Sequence, residues 1–148
     1  MNKIYKKISI LIIATLLNFN FTSSQQLSNL NSNDQPIEIF ADEGIEWHKN
    51  KNKYVAVGNA RAISGTLSLA SDKIEAFYDE KENSGMNIKE VRAKKNVVVK
   101  DNKMEITGGN YAEYKMSKDY FLIKGKNVVL TSESNTLKSR EKLEYWRA

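Results

Sequence analysis

Alternation of apolar and polar residues, in short runs separated by polar or glycine turns, governs the chain from Ile37 onward. Period two suits a strand with one buried face; an amphipathic helix needs apolar residues at three- and four-residue spacing instead. No window holds that helical spacing for three turns. The runs predict strands at 37–42, 45–47, 54–63, 66–70, 73–78, 88–93, 97–100, 104–107, 111–116, 120–124, 128–131, 136–139 and 143–146. The expected fold class is therefore nearly all-β.

The 148 residues allow one domain, and 41% hydrophobic content with seven Gly and one Pro is a folded composition. The absence of Cys excludes disulfides, thiolate metal sites, thiol nucleophiles and a lipidated cysteine anchor. A single histidine, His48, leaves no second imidazole for a metal pair or a proton relay.

The first 24 residues read as a Sec-type export signal: Lys3, Lys6 and Lys7 in front, an apolar stretch over 8–17, then Thr22, Ser23 and Ser24. A membrane span needs about 20 apolar residues, and Asn18, Asn20, Thr22 and Ser23 interrupt this one too early. Cleavage is expected after Ser24, followed by a flexible Ser/Asn/Gln leader over 25–35 and one β domain over 36–148. Loss of three lysines and no acids leaves 20 basic against 18 acidic residues, which is not the footprint of a nucleic-acid binder.

Catalytic readings fail one by one. Asp42, Glu43 and Glu46 cluster, but nothing sets two carboxylates across a cleft. Gly108-Gly109 lacks the lysine and helix of a phosphate loop, and reads as a bulge or close strand contact. Ser64 and Ser117 have no partner base, and His48 lies in a solvated turn. No enzyme, cofactor or metal is expected. Trp47 and Trp146 each end a run and are expected to close one end of an apolar interior.

Three asparagines, Asn59, Asn96 and Asn127, mark an internal repeat. Ten residues after each comes an aliphatic residue (Leu69, Ile106, Leu137), and 18 or 19 after it a tyrosine (Tyr78, Tyr114, Tyr145). An apolar stripe of Ile37, Ile39, Val55, Val57, Leu67, Leu69, Val97, Val99, Leu122, Val128 and Leu130 is expected to face inward. In a closed sandwich this stripe is simply core; in a sheet folded into an open V it can hold acyl chains.

An ordered set of short motifs completes the reading: Gln35-Pro36-Ile37-Glu38-Ile39 with Asp42, Gly58-Asn59-Ala60, Gly65-Thr66-Leu67 and Ala70-Ser71-Asp72-Lys73-Ile74. Lys89-Glu90-Val91, Ala112-Glu113-Tyr114, Lys118-Asp119-Tyr120, Gly125-Lys126-Asn127-Val128 and Asn135-Thr136-Leu137-Lys138-Ser139 follow. The series resembles the LptA/OstA-like periplasmic lipopolysaccharide-transport proteins. That resemblance implies a single open, V-shaped antiparallel β-jelly-roll that shields the acyl chains of lipid A. It implies copies stacked head to tail between an LptC-like inner-membrane component with its ABC transporter and an LptD-like outer-membrane component. Ile37, Ile39, Val99 and Met116 match interior positions of the family, so Met116 joins the stripe as an expected lipid contact. Ile37 and Ile39 at one edge, with Leu143, Tyr145 and Trp146 at the other, are the expected assembly edges. The cleavable front segment argues against the LptC-like sister component, and a non-enzymatic β-repeat scaffold that binds no lipid stays open.

Overall fold

The computed structural model describes residues 35–81 and 85–147. The expected export signal, its cleavage site and most of the leader lie outside the described residues. Among the described residues ten strands form one sheet: β1 (Glu38–Phe40), β2 (Gly44–His48), β3 (Lys53–Ser64), β4 (Leu67–Lys81), β5 (Gly85–Asp101), β6 (Met104–Lys115), β7 (Tyr120–Lys124), β8 (Val128–Ser132), β9 (Asn135–Ser139) and β10 (Lys142–Trp146). Every ladder is antiparallel. The main path runs β1-β3-β4-β5-β6-β7-β10; β2 also pairs with β3, and β8 pairs with both β6 and β9.

Three pairs of expected strands are continuous. The runs 66–70 and 73–78 are both β4, 88–93 and 97–100 are both β5, and 104–107 and 111–116 fall along β6 and the 3-10 turn Met116–Lys118 that ends it. The polar interruptions between them are bulges, with the pairing register shifting between Val57 and Ala60, between Ala70 and Lys73, and between Lys94 and Val97. A bulge bends its strand and sharpens the local twist without ending the ladder. Because the shifts lie side by side on neighbouring strands, they add up to a crease across the sheet.

Residue choice at the crease follows from this geometry. Asn59 (φ 43°), Asn96 (φ 50°) and Gly108 (φ 75°) occupy left-handed backbone, which Gly adopts freely and Asn at less cost than other residues; Lys95 (φ 65°) shares it. Asn59 Nδ2 donates to Asp42 Oδ2 at 2.9 Å and Asn96 Nδ2 to Asp72 Oδ1 at 2.9 Å, so two repeat asparagines tie neighbouring strands together at the bend. A β-carbon at Gly108 would sit 1.9 Å from the carbonyl oxygen of Asn127. The reading of Gly108-Gly109 as a close strand contact agrees with this.

The crease divides the sheet into two wings. Wing one holds β2, β7 and β10 with the 53–57, 73–81, 85–94 and 111–115 parts of β3 to β6. Wing two holds β1, β8 and β9 with the 60–64, 67–70, 97–101 and 104–107 parts. Their inner faces meet in one apolar cluster that contains Ile74, Val91 and Phe121 from wing one and Leu69, Val99 and Ile106 from wing two.

Candidate functional site

Residues directly opposite in an antiparallel ladder point to the same side, so register assigns each face. On wing two, Ile39, Ala62, Leu69, Val99 and Ile106 stand in one cross-strand row that continues through Leu130 to Leu137. On wing one, Trp47, Tyr54, Ala76, Val91, Tyr114, Phe121 and Tyr145 form a second inner row. The row beside it, nearer the crease, includes Ala56, Ile74, Ala93, Ala112, Ile123 and Leu143. Its three alanines are at most 1% exposed, and their small side chains let the wings approach where the V is narrowest. Tyr114 and Phe121 stack with ring centroids 4.2 Å apart, and Tyr145 continues the stack at 6.4 Å from Phe121.

A cavity of about 10 Å³ lies between the wings, lined by Ile37, Ala62, Ile63, Ser64, Leu67 and Leu69 on one side and Val91, Tyr114 and Phe121 on the other.

The outer face of wing one is held by charge. Glu75, in the outer row with Val55 and Arg92, accepts from Lys53 Nζ at 2.6 Å and faces Lys94 Nζ at 2.9 Å. Burial alone would push its carboxyl up, but the two ammonium groups outweigh burial and hold it at about 2. Arg92 pairs with Glu90 and lies 4.6 Å from the Phe77 ring centre, while Lys115 reaches Glu113 at 2.8 Å. The inner face is apolar, and the outer face of wing one combines these ion pairs with Val55, Val57, Phe77 and Leu122.

Of the expected lipid contacts, Leu67, Leu69, Val97, Val99 and Val128 are buried in the interior cluster, and Ile37, Ile39, Met116 and Leu130 pack against it. Three expectations of facing are corrected. Val55 and Val57 pair with Glu75 and Lys73, and Leu122 pairs with Glu113 and Glu144, so all three lie on the outer face. Tyr54 and Ala56 on β3, and Phe121 and Ile123 on β7, take the inner positions instead. In both strands several consecutive residues are apolar, so alternation could not tell the faces apart. Ile106, fully buried, was legible only through its place ten residues after Asn96.

Trp47 ends the inner row at the β2 edge, 54% exposed, whereas Trp146, 59% exposed, does not close the interior. Trp47 Nε1 donates to the Tyr78 hydroxyl at 2.8 Å, and Trp146 lies on the outer face 5.1 Å from Tyr120. Every exposed large hydrophobic residue found among the described residues is on an edge strand: Phe40, Ile45 and Trp47 on β1 and β2, Leu137 on β9 and Trp146 on β10. Leu143 and Tyr145 are half-buried on the inner side of β10, as Ile39 is on β1. Glu38, Asp42, Glu43 and Glu46 make the first edge acidic, whereas the last edge carries Lys138, Arg140 and Lys142 against Glu141 and Glu144, a small basic excess.

At the tips of the V, Arg147 follows β10 and reaches both wings. Its Nε lies 2.9 Å from Asp101 Oδ2 at the β5–β6 turn, and its Nη1 lies 3.6 Å from Asp119 Oδ1 at the β6–β7 turn. Thr66 Oγ1 donates to Asp101 Oδ1 at 2.7 Å, and the Tyr114 hydroxyl donates to Asp119 Oδ1 at 2.6 Å. Burial and that carboxylate together push the Tyr114 phenol up to about 12.

Comparison with known proteins supplies the context. Residues 38–145 match a family model described as LptA/(LptD N-terminal domain) LPS transport protein. An uncharacterised protein of Rhizobium meliloti (strain 1021) is 27% identical over 128 residues, covering 84% of this chain and 68% of that protein. The fold is similar to the crystal structure of LptH, the LptA-homologous periplasmic component of the lipopolysaccharide transport device of Pseudomonas aeruginosa. The TM-score is 0.63 at 15% identity, over 76% of this chain and 77% of that one.

Proposed function

The chain belongs to the LptA/LptD N-terminal-domain family of lipopolysaccharide transport proteins, and from that premise we propose that it works in the periplasm, shielding the acyl chains of lipid A between its two wings. The observation that carries this reading is the division of faces: an unbroken apolar surface lines the inside of the crease, while the outside of wing one is bound by ion pairs. A glycan attached to a lipid held this way stays in water. The protein performs no chemistry in this account, and energy for movement comes from a partner.

The two edges support the second half of the proposal, a head-to-tail bridge between an LptC-like inner-membrane component and an LptD-like outer-membrane component. β1 and β2 at one edge and β9 and β10 at the other leave backbone donors and acceptors unpaired, carry the exposed hydrophobic residues and bear opposite charge. Pairing the last edge of one copy with the first edge of the next continues the sheet and aligns successive interiors. Such a contact is heterologous and need not close.

A scaffold that binds no lipid is favoured by one observation, the full burial of Ile74, Val99, Ile106 and Phe121 between the wings. Mass spectrometry of lipids that co-purify with the exported protein separates the two. The transport reading expects lipid A species. Protein free of lipid in several gentle preparations would move the assignment to a scaffold.

A further inference from the structure

Among the described residues, the ion pair between Arg147 and Asp101 is the one that joins the two wings away from the crease. Other ion pairs lie within a wing, such as Lys53–Glu75 and Lys115–Glu113 in wing one or Lys100–Glu105 in wing two. It is also shielded: the Asp101 side chain is 7% exposed and that of Arg147 27%. Both partners are held from behind, Asp101 by Thr66 and Arg147 by Asp119, whose carbonyl accepts the Arg147 backbone N–H at 3.0 Å. The pair sits across the tips from the apolar face, where Leu67 and Tyr114 meet over a cavity of about 10 Å³. An alkyl chain entering between the tips must break this pair first.

We propose that Arg147 and Asp101 form a latch that holds the wings closed over the apolar interior and limits access of alkyl chains. The proposal rests on reading that interior as the acyl-chain site. A closed state favoured by the latch lowers the apparent affinity for any ligand that binds only the open state, by the fraction of molecules that are open. The latch therefore protects the interior when no lipid is present, at a cost in affinity when one is. Arg147 directly follows the last edge strand, so pairing of another chain along β10 acts on the residue beside its guanidinium.

The chain contains no cysteine, so spin labels can be placed at will. Labels on Lys103→Cys and Lys118→Cys, exposed positions at the tips of opposite wings, report the gap directly. Without ligand, the wild-type background should give one short distance. Arg147→Gln and Asp101→Asn should each shift the distribution to longer distances with unchanged β circular dichroism. The double exchange Asp101→Arg with Arg147→Asp should restore the short distance. Dansyl-labelled undecanoic acid should bind the two single variants roughly fivefold more tightly than wild type. Unchanged distances in both single variants would overturn the latch, as would widening without restoration by the exchange. Widened tips that take up no probe in any background would leave the latch standing and refute the acyl-chain reading instead.

Discussion

Phe121 and Leu122 show how far one residue can be read. Phe121-Leu122-Ile123 is apolar throughout, and period two cannot choose its buried face; the choice comes from pairing, which sets Phe121 against Tyr114 and Leu122 against Glu113. Tyr54 to Val57 on β3 presents the same ambiguity, and there the small Ala56 faces inward while the larger valines do not. Phe121→Ala should destabilise the fold by about 3–5 kcal/mol in urea unfolding, and Leu122→Ala by about 1 kcal/mol. Equal costs would contradict the assigned faces. Glu75 gives a second prediction at this scale. Its folded pKa of about 2 lies below the ordinary carboxylate value of about 4.5, so its contribution to stability is present above about pH 4.5 and is lost as pH falls toward 2. Between about pH 7 and about pH 3, wild type should lose about 2 kcal/mol more than Glu75→Gln. Parallel pH curves for the two proteins would show that the lysine pair does not hold the carboxylate.

Elements were the most legible level, because alternation marks a strand wherever one face is buried. What the sequence left open was continuity. A polar break such as Lys94-Lys95-Asn96 suits a turn as well as a bulge, and only pairing across the break shows that β5 continues through it. The repeat pointed to the answer, since each asparagine is followed by an aliphatic residue for wing two and a tyrosine for wing one, and Leu69, Ile106 and Leu137 share one row. Edge strands are the elements left with work to do. The Arg147 N–H bonds to Asp119 and the Glu141 carbonyl accepts from Gly125, both on the β7 side of β10; by alternation Glu144 turns its backbone to the free edge. Glu144→Pro therefore removes an outward donor while sparing the β7 ladder. It should keep β circular dichroism and lose concentration-dependent growth in light scattering, and wild-type growth should weaken as salt rises. A variant that assembles as readily as wild type would show that β10 is not the assembling edge.

For the whole molecule, the crease is what turns a long antiparallel sheet into two facing apolar surfaces. The central claim is that acyl chains of lipopolysaccharide lie between those surfaces. Site-specific photo-crosslinking in the periplasm tests it most directly, since an aryl photo-crosslinker keeps an apolar side chain and leaves the ion pairs untouched. The account predicts lipopolysaccharide adducts from crosslinkers at Ile39, Leu69 and Tyr114 on the inner face, and none from Val57 or Leu122 on the outer face. Adducts from Val57 and Leu122 with none from the three inner positions would contradict it.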